Sequence, residues 1–195
     1  FNDVRVRRAM NLAVDQRAIL DSLLNGEGAL LNYPFAQRWN NYYTPLEKLS
    51  PKARELFDYK PEEAKKLLAE AGYPNGFSFD LQACSCSPYQ MDLVAMLQAY
   101  YQQIGVKMNI KTLEYGAYRA NMRGKNQAGG YLMNNSSGNP IAVLRKSFMS
   151  GQTWNASWYS NEDFDRRIEA AITEPDQEKQ LDNVIRHLLK EHVTD

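Results

Sequence analysis

The sequence predicts an α/β domain: a small, largely parallel sheet flanked by helices. Three observations carry that reading. Apolar residues alternate over residues 77–83 and again over 106–113, at the two-residue period of a strand. A long amphipathic helical stretch separates these two segments, and a shorter one leads to a third extended segment at 130–134. Helical crossovers of this length join parallel strands through right-handed connections.

The elements follow in order. Asn2 and Asp3 can cap a first helix in which Val6, Met10, Ala13 and Val14 recur at helical spacing. Asp15 can cap a second, with Ile19, Leu20, Leu23 and Leu24 on one face and Gly26 as its stop. Periodicity then fades over 27–59, where Tyr33, Pro34, Trp39, Tyr42, Tyr43 and Pro45 punctuate an irregular stretch of a length often tied to function. Pro61 suits the first position of a helix carrying Ala64, Leu67, Leu68 and Ala71 and ended by Gly72. Pro74, Asn75 and Gly76 signal the turn into the first strand. The crossover helix presents Leu93, Met96, Leu97, Tyr100 and Ile104 and breaks at Gly105. In the second strand Val106, Met108, Ile110 and Thr112 alternate with Lys107, Asn109 and Lys111. A helix over 116–123 leads to the third strand. Beyond it, Ala142, Leu144 and Phe148 mark a short element after Pro140. Ser160 with Asp163 resembles a capping box ahead of Phe164, Ile168 and Ile172. Pro175 opens a last helix faced by Leu181, Val184, Ile185, Leu188 and Leu189.

With 195 residues the chain has the length of a single domain, 1–195, large enough to bury a core without metals or disulfides. Its 23 basic and 23 acidic residues balance, so the electrostatic footprint of a nucleic-acid or anionic-membrane binder is missing and no nucleic-acid partner is expected. The run Arg5, Arg7, Arg8 is flanked by Asp3 and Asp15 and reads as a solvated helix face. No apolar stretch approaches the ~18 residues that span a bilayer. Cys84 and Cys86 stand one residue apart, a spacing not expected to close a disulfide and, without a nearby histidine, a poor zinc site.

Catalytic chemistry is sparse. His187 and His192, five residues apart, do not share a helix face well, and no serine has a histidine placed to activate it. Glu162, Asp163 and Asp165 open a helix, where carboxylates complement the dipole. Arg123, Gly124 and Lys125 precede a strand rather than a helix, which rules out a phosphate loop. No catalytic residue, metal site or cofactor is expected, and the chain is not expected to be an enzyme.

A binding role is expected instead at the carboxyl ends of the strands, where open α/β sheets receive their ligands. Those ends carry Cys84 to Tyr89, then Glu114 and Tyr115, then Asn134 to Pro140. The candidate ligand contacts are Cys86, Ser87, Tyr89, Tyr115, Asn134, Asn135, Ser136, Ser137 and Asn139. Such residues supply hydrogen bonds and stacking surfaces, and they equally serve ordinary Asx and Ser turns. Trp39 and Trp154 join them, because a tryptophan in an irregular segment either anchors its loop on the core or stacks on ligand.

Five blocks, in order along the chain, resemble the extracytoplasmic solute-binding proteins of the peptide, nickel and opine ABC importers, family 5. Phe1, Asp3, Arg5, Val6, Arg7 and Ala9 are similar to the family's F-x-D-x-R-V-R-x-A stretch. Pro61, Ala64, Lys65, Leu67, Leu68, Glu70, Ala71, Gly72 and Tyr73 follow its D-P-x-x-A-K-x-L-L-x-E-A-G-Y signature, with Lys60 in place of the Asp, and Pro74 to Phe77 continue it. Ile104, Gly105 and Val106 with Glu114 and Tyr118 fit the next block, as does the stretch from Asn155 to Asp165.

The resemblance implies the second lobe of a type II periplasmic-binding-protein fold, with the N-terminal lobe elsewhere in the same protein. It implies a periplasmic or cell-surface lipoprotein receptor that closes on a small solute and delivers it to an ABC permease in the membrane. Dipeptide-binding members carry an Arg ahead of a Pro-Tyr pair and an Asp near a G-D-P segment. The matching positions are Ser87, before Pro88 and Tyr89, and Ser136, before Gly138, Asn139 and Pro140. Hydroxyls in place of both charges imply a neutral or backbone-held ligand, an oligopeptide or a sugar-like solute. The alternative is a stand-alone protein-interaction module that uses the same lobe fold and binds through the loop around Tyr33 to Tyr43.

Overall fold

The computed structural model describes residues 1–30, 37–39, 42–124, 126, 129–132, 139–176 and 178–180. In chain order its elements are α1 (Val4–Leu12), α2 (Gln16–Leu24), α3 (Pro51–Arg54), α4 (Pro61–Glu70), β1 (Ser78–Cys84), α5 (Pro88–Gln103), β2 (Lys107–Leu113), α6 (Tyr115–Arg123), β3 (Gly130–Tyr131), α7 (Pro140–Phe148) and α8 (Glu162–Thr173). Short 3-10 turns at Leu46–Lys48 and Glu55–Phe57, with α3, occupy part of the stretch expected to be irregular. The described residues form two compact units, one of Phe1–Leu30 and Arg54–Met133, the other of Leu31–Ala53 and Asn134–Asp195.

The first unit contains the sheet, in the order β2-β1-β3 with both pairings parallel. The expected strand–helix–strand–helix–strand order is therefore present. β1 pairs with β2 over its whole length, from Ser78↔Lys107 to Cys84↔Leu113, and β3 meets β1 at Leu81↔Gly130 and Gln82↔Tyr131. The register starts at a backbone-on-backbone contact. A Cβ on Gly76 would fall 1.9 Å from the carbonyl oxygen of Gly105, and Gly76 itself has φ +74°. Only glycine allows that approach, and immediately after it the Lys107 N–H donates to the Phe77 carbonyl at 2.8 Å.

Packing follows from the sequence periodicity, with corrections. α1 lays Val6, Ala9, Met10 and Leu12 against Ala64 and Leu68 of α4, and Ile104 and Val106 complete that cluster. Full burial of a side chain such as Leu12 or Leu68 contributes about 1.5–3 kcal/mol. A second cluster joins Leu81, Ala83 and Met108 of the sheet to Val94 of α5. α5 begins at Pro88, five residues ahead of the expected face, because Ser87 caps it and Pro88 takes the first helical position. Its core-facing side is accordingly Gln90, Val94, Leu97, Tyr101 and Ile104, rotated from the face read in the sequence. In α2 only Leu20 is buried, and Leu24 is exposed. Asp3 caps α1 and pairs with Arg5, whose hydrogen bonds hold the Asp3 carboxyl down at about 2.

The second unit has its own core of Ile141, Leu144, Phe164, Ile168 and Ala171 between α7 and α8. The loop between these helices is organised by Asn155, which is 1% exposed. Its Nδ2 donates to the carbonyls of Phe148 (3.2 Å), Met149 (3.2 Å) and Tyr159 (2.7 Å), while its Oδ1 accepts from the Ser157 hydroxyl at 2.9 Å. α8 is capped by Asn161, which accepts from the Phe164 N–H at 2.9 Å. The expected cap, Ser160, instead accepts from the Ser150 hydroxyl at 3.0 Å. The last predicted helix is described as far as residue 180, where the Gln180 N–H donates to the Asp176 carbonyl; its apolar face lies outside the described residues.

Three outcomes are expected. Gly72→Ala, at φ +92° with open space around the new methyl, should cost about 1–2 kcal/mol in chemical denaturation, whereas Gly76→Ala should cost more than ~3 kcal/mol, because backbone must move. Equal costs would show that the close approach does not set the register. Asn155→Ala should cost about 2–4 kcal/mol by unpairing buried carbonyls, against about 1 kcal/mol for Ser157→Ala. Burial pushes the Tyr101 phenol up to about 12, above its ordinary value near 10. Unfolded chains release that proton first, so stability should hold below pH 10 and fall as pH rises towards 12. Alkaline denaturation of Tyr101→Phe should be shallower, since Tyr42, Tyr100 and Tyr131, shifted the same way, retain the remainder.

Candidate functional site

Because β1 and β2 are parallel and in register, their carboxyl ends emerge together. Cys84 faces Leu113 across the ladder, and the chain leaving β1 is clamped to the end of β2: the Ser85 N–H and hydroxyl both donate to the Leu113 carbonyl, at 3.0 and 3.2 Å. Four of the sequence candidates in the first unit, Cys86, Ser87, Tyr89 and Tyr115, are brought to this edge. Tyr89 is 41% exposed and Tyr115 56% exposed.

The chemistry of the edge differs from the expectation in one respect and adds to it in two. Cys84 and Cys86 form a disulfide, contrary to the reading of their spacing. The turn after β1 brings their Cα atoms to 5.1 Å, inside the range a disulfide needs, and the Cys86 N–H donates to Cys84 Sγ at 3.2 Å. Cys84 is fully buried and Cys86 is exposed. Ser87 accepts from the Gln90 N–H at 3.4 Å as the cap of α5, so its hydroxyl oxygen already has a structural duty. Glu114 caps α6 through the Gly116 N–H, and the Arg119 guanidinium lies 5.8 Å from the Tyr115 ring centroid. Sequence reading missed Arg119. Its place one turn after Tyr115 is the signal that could have found it.

Beside this edge, Tyr118 and Tyr131 stack with ring centroids 4.6 Å apart, and the Tyr118 hydroxyl donates to the Leu132 carbonyl. Burial, and then Tyr118, drive the Tyr131 phenol well above the tyrosine range. A cleft of about 380 Å³ lies at the other end of the sheet, along the start of β2 and the end of α5. There Gln98 donates to the Met108 carbonyl at 2.7 Å and so covers part of the sheet edge.

The remaining candidates belong to the second unit or fall outside the description. Asn139 caps α7, accepting from the Ile141 and Ala142 N–H groups at 3.0 and 3.3 Å. Trp154 is half-buried under Lys146, whose ammonium sits 4.6 Å from the ring centroid. Trp39 has its carbonyl at the base of a turn, accepting from the Tyr42 and Tyr43 N–H groups, and its buried Nε1 finds no partner among the described residues. Asn134, Asn135, Ser136 and Ser137 lie outside the described residues, as does most of the loop from Tyr33 to Tyr43. Among the described residues no group of three potential metal ligands occurs, and no helix is long and apolar enough to cross a membrane.

Comparison with known proteins agrees with this architecture. The family model for bacterial extracellular solute-binding proteins, family 5 (middle region), matches residues 1–160. Heme-binding protein A of Haemophilus influenzae is 32% identical over 181 residues, which cover 88% of this chain and 31% of that protein. The dipeptide-binding protein of Escherichia coli is 29% identical over 190 residues, covering 93% of this chain and 34% of its own length. This chain thus spans about a third of the curated relatives it matches. Among solved structures, HbpA2 from Haemophilus parasuis aligns with a TM-score of 0.80 at 26% identity, over 97% of this chain and 37% of that one. DppA from Helicobacter pylori, solved with the peptide STSA, aligns at 0.76 over 97% of this chain and 37% of that one; at 23% identity it supports the fold alone. The fold is the α/β type II periplasmic-binding-protein fold that the motifs imply, and these relatives are binding proteins rather than enzymes. The chain belongs to the bacterial extracellular solute-binding proteins of family 5.

Proposed function

We propose that this chain is the second, ligand-binding lobe of an extracytoplasmic solute receptor that hands its solute to an ABC permease and catalyses no reaction. The carrying observation is the edge where β1 and β2 end together, with Tyr89 and Tyr115 exposed on a clamped backbone. The share of each relative that the chain covers supports a lobe whose partner lobe lies elsewhere in the same protein. Anchorage as a lipoprotein or free residence in a periplasm belongs to the same proposal. Nothing in the described residues favours a stand-alone interaction module.

The ligand class that fits is a neutral or backbone-held solute, an oligopeptide or a sugar-like molecule. The Glu114 carboxylate is engaged in capping α6 and the Arg119 guanidinium sits against the Tyr115 ring, so both charges already have partners within the chain and the exposed ring faces of Tyr89 and Tyr115 are what the rim offers first. A free peptide terminus buried there without a partner would cost several kcal/mol.

Calorimetric titration of the full-length protein tests both parts. Tyr115→Ala is expected to weaken solute binding by about tenfold or more at unchanged melting temperature. End-blocked peptides should bind at least about tenfold more tightly than the same free dipeptides. Tight binding of free dipeptides would overturn the ligand class, and binding indifferent to Tyr89→Ala and Tyr115→Ala together would overturn the site.

A further inference from the structure

The Cys84–Cys86 disulfide closes a loop of three residues at the edge where the strands end, and its two residues are presented very differently. Cys84 is the last residue of β1, with 0% exposure, packed inside the sheet ladder opposite Leu113. Cys86 is exposed, one residue before the cap of the 16-residue helix α5. Thiol–disulfide exchange requires an incoming thiolate to reach one sulfur along the S–S axis, so access decides which sulfur is attacked. The buried sulfur cannot be reached. Cys86, the exposed residue of the pair, offers the side of approach.

Departure of the other sulfur is also provided for. When Cys86 is attacked, Cys84 Sγ leaves with the electron pair of the S–S bond. Burial opposes negative charge there and slows the step. The Cys86 N–H aimed at that sulfur from 3.2 Å offsets the penalty. The loop backbone stays in place throughout, because the Ser85 N–H and hydroxyl remain bonded to the Leu113 carbonyl.

We propose that Cys86 is a site of reversible modification by low-molecular-weight thiols. One thiolate, RS⁻, attacks Cys86 Sγ; the S–S bond to Cys84 breaks, an RS–S bond to Cys86 forms, and Cys84 takes up the released electron pair and then a proton. The reverse step, attack of Cys84 on the mixed disulfide, expels the thiol and restores the ring, with no external oxidant or reductant. The modification places a solute-sized group beside Tyr89. This inference rests on the loop alone and is independent of which solute the receptor carries.

The test exposes the intact, folded protein to glutathione, and separately to cysteamine, followed by acid quenching and peptide mapping by mass spectrometry. The expected result is a mixed disulfide on Cys86 in at least about tenfold excess over Cys84, for both probes. Equal labelling of the two cysteines, preference for Cys84, or adducts that form only in denaturant would overturn the proposal. Cys84→Ser and Cys86→Ser supply the complement: with oxidised glutathione the first variant should be labelled readily and the second at least about tenfold more slowly. The mapping of the unmodified protein decides the matter even where a variant fails to fold.

Discussion

The contact on which the first unit depends is the approach of one backbone to another at Gly76 and Gly105. With the two chains this close, the Phe77 carbonyl meets the Lys107 N–H, and a parallel ladder of seven residue pairs follows. A parallel ladder begun at one end has no freedom at the other. Cys84 must finish beside Leu113, and the loops that leave these residues must share an edge. The Ser85 clamp on Leu113 is a consequence of that register, and so is the joint presentation of Tyr89 and Tyr115.

Several residues that look made for ligand contact hold the scaffold together first. Ser87, Glu114 and Asn139 are all helix caps, each accepting from backbone N–H groups that would otherwise be unpaired. A cap of this kind contributes about 1 kcal/mol, comparable to one hydrogen bond to a ligand. Under the proposed role, recognition by this edge rests on what the caps leave over, chiefly ring faces. Aromatic faces suit solutes of varied shape, because stacking and apolar contact ask less of geometry than a buried charge pair.

In the second unit the same economy appears around Asn155. One buried amide shares its two N–H groups among three carbonyls, and the turn it organises carries Trp158, 58% exposed and at φ +59°. That conformation is costly for a bulky side chain, by about 1–2 kcal/mol, and it persists where surrounding bonds over-determine the backbone. The Asn155 bonds supply that constraint.

Local signals in the sequence determined most of the fold. The alternation of 77–83 and 106–113, Pro61 and Pro88 at helix starts, and the glycines after α4 and α5 act over a few residues, where steric and hydrogen-bonding preferences are strong. The order of elements then selected a parallel sheet, and the strand-end rule selected the edge proposed to bind the solute. Three things waited for the tertiary structure. The face of α5 was decided by packing on β1 and β2, which buries Val94 and Gln90 and turns Leu93 and Met96 away from the centre of the interface. The capping duty of Ser87 and Glu114, and of Asn139 in the second unit, was decided by which backbone N–H lay within reach. The Cys84–Cys86 bond was decided by a turn that brings two Cα atoms to 5.1 Å. Spacing in the sequence counts residues, whereas a covalent bond, a cap or a buried face depends on distance and direction, which only the folded chain sets.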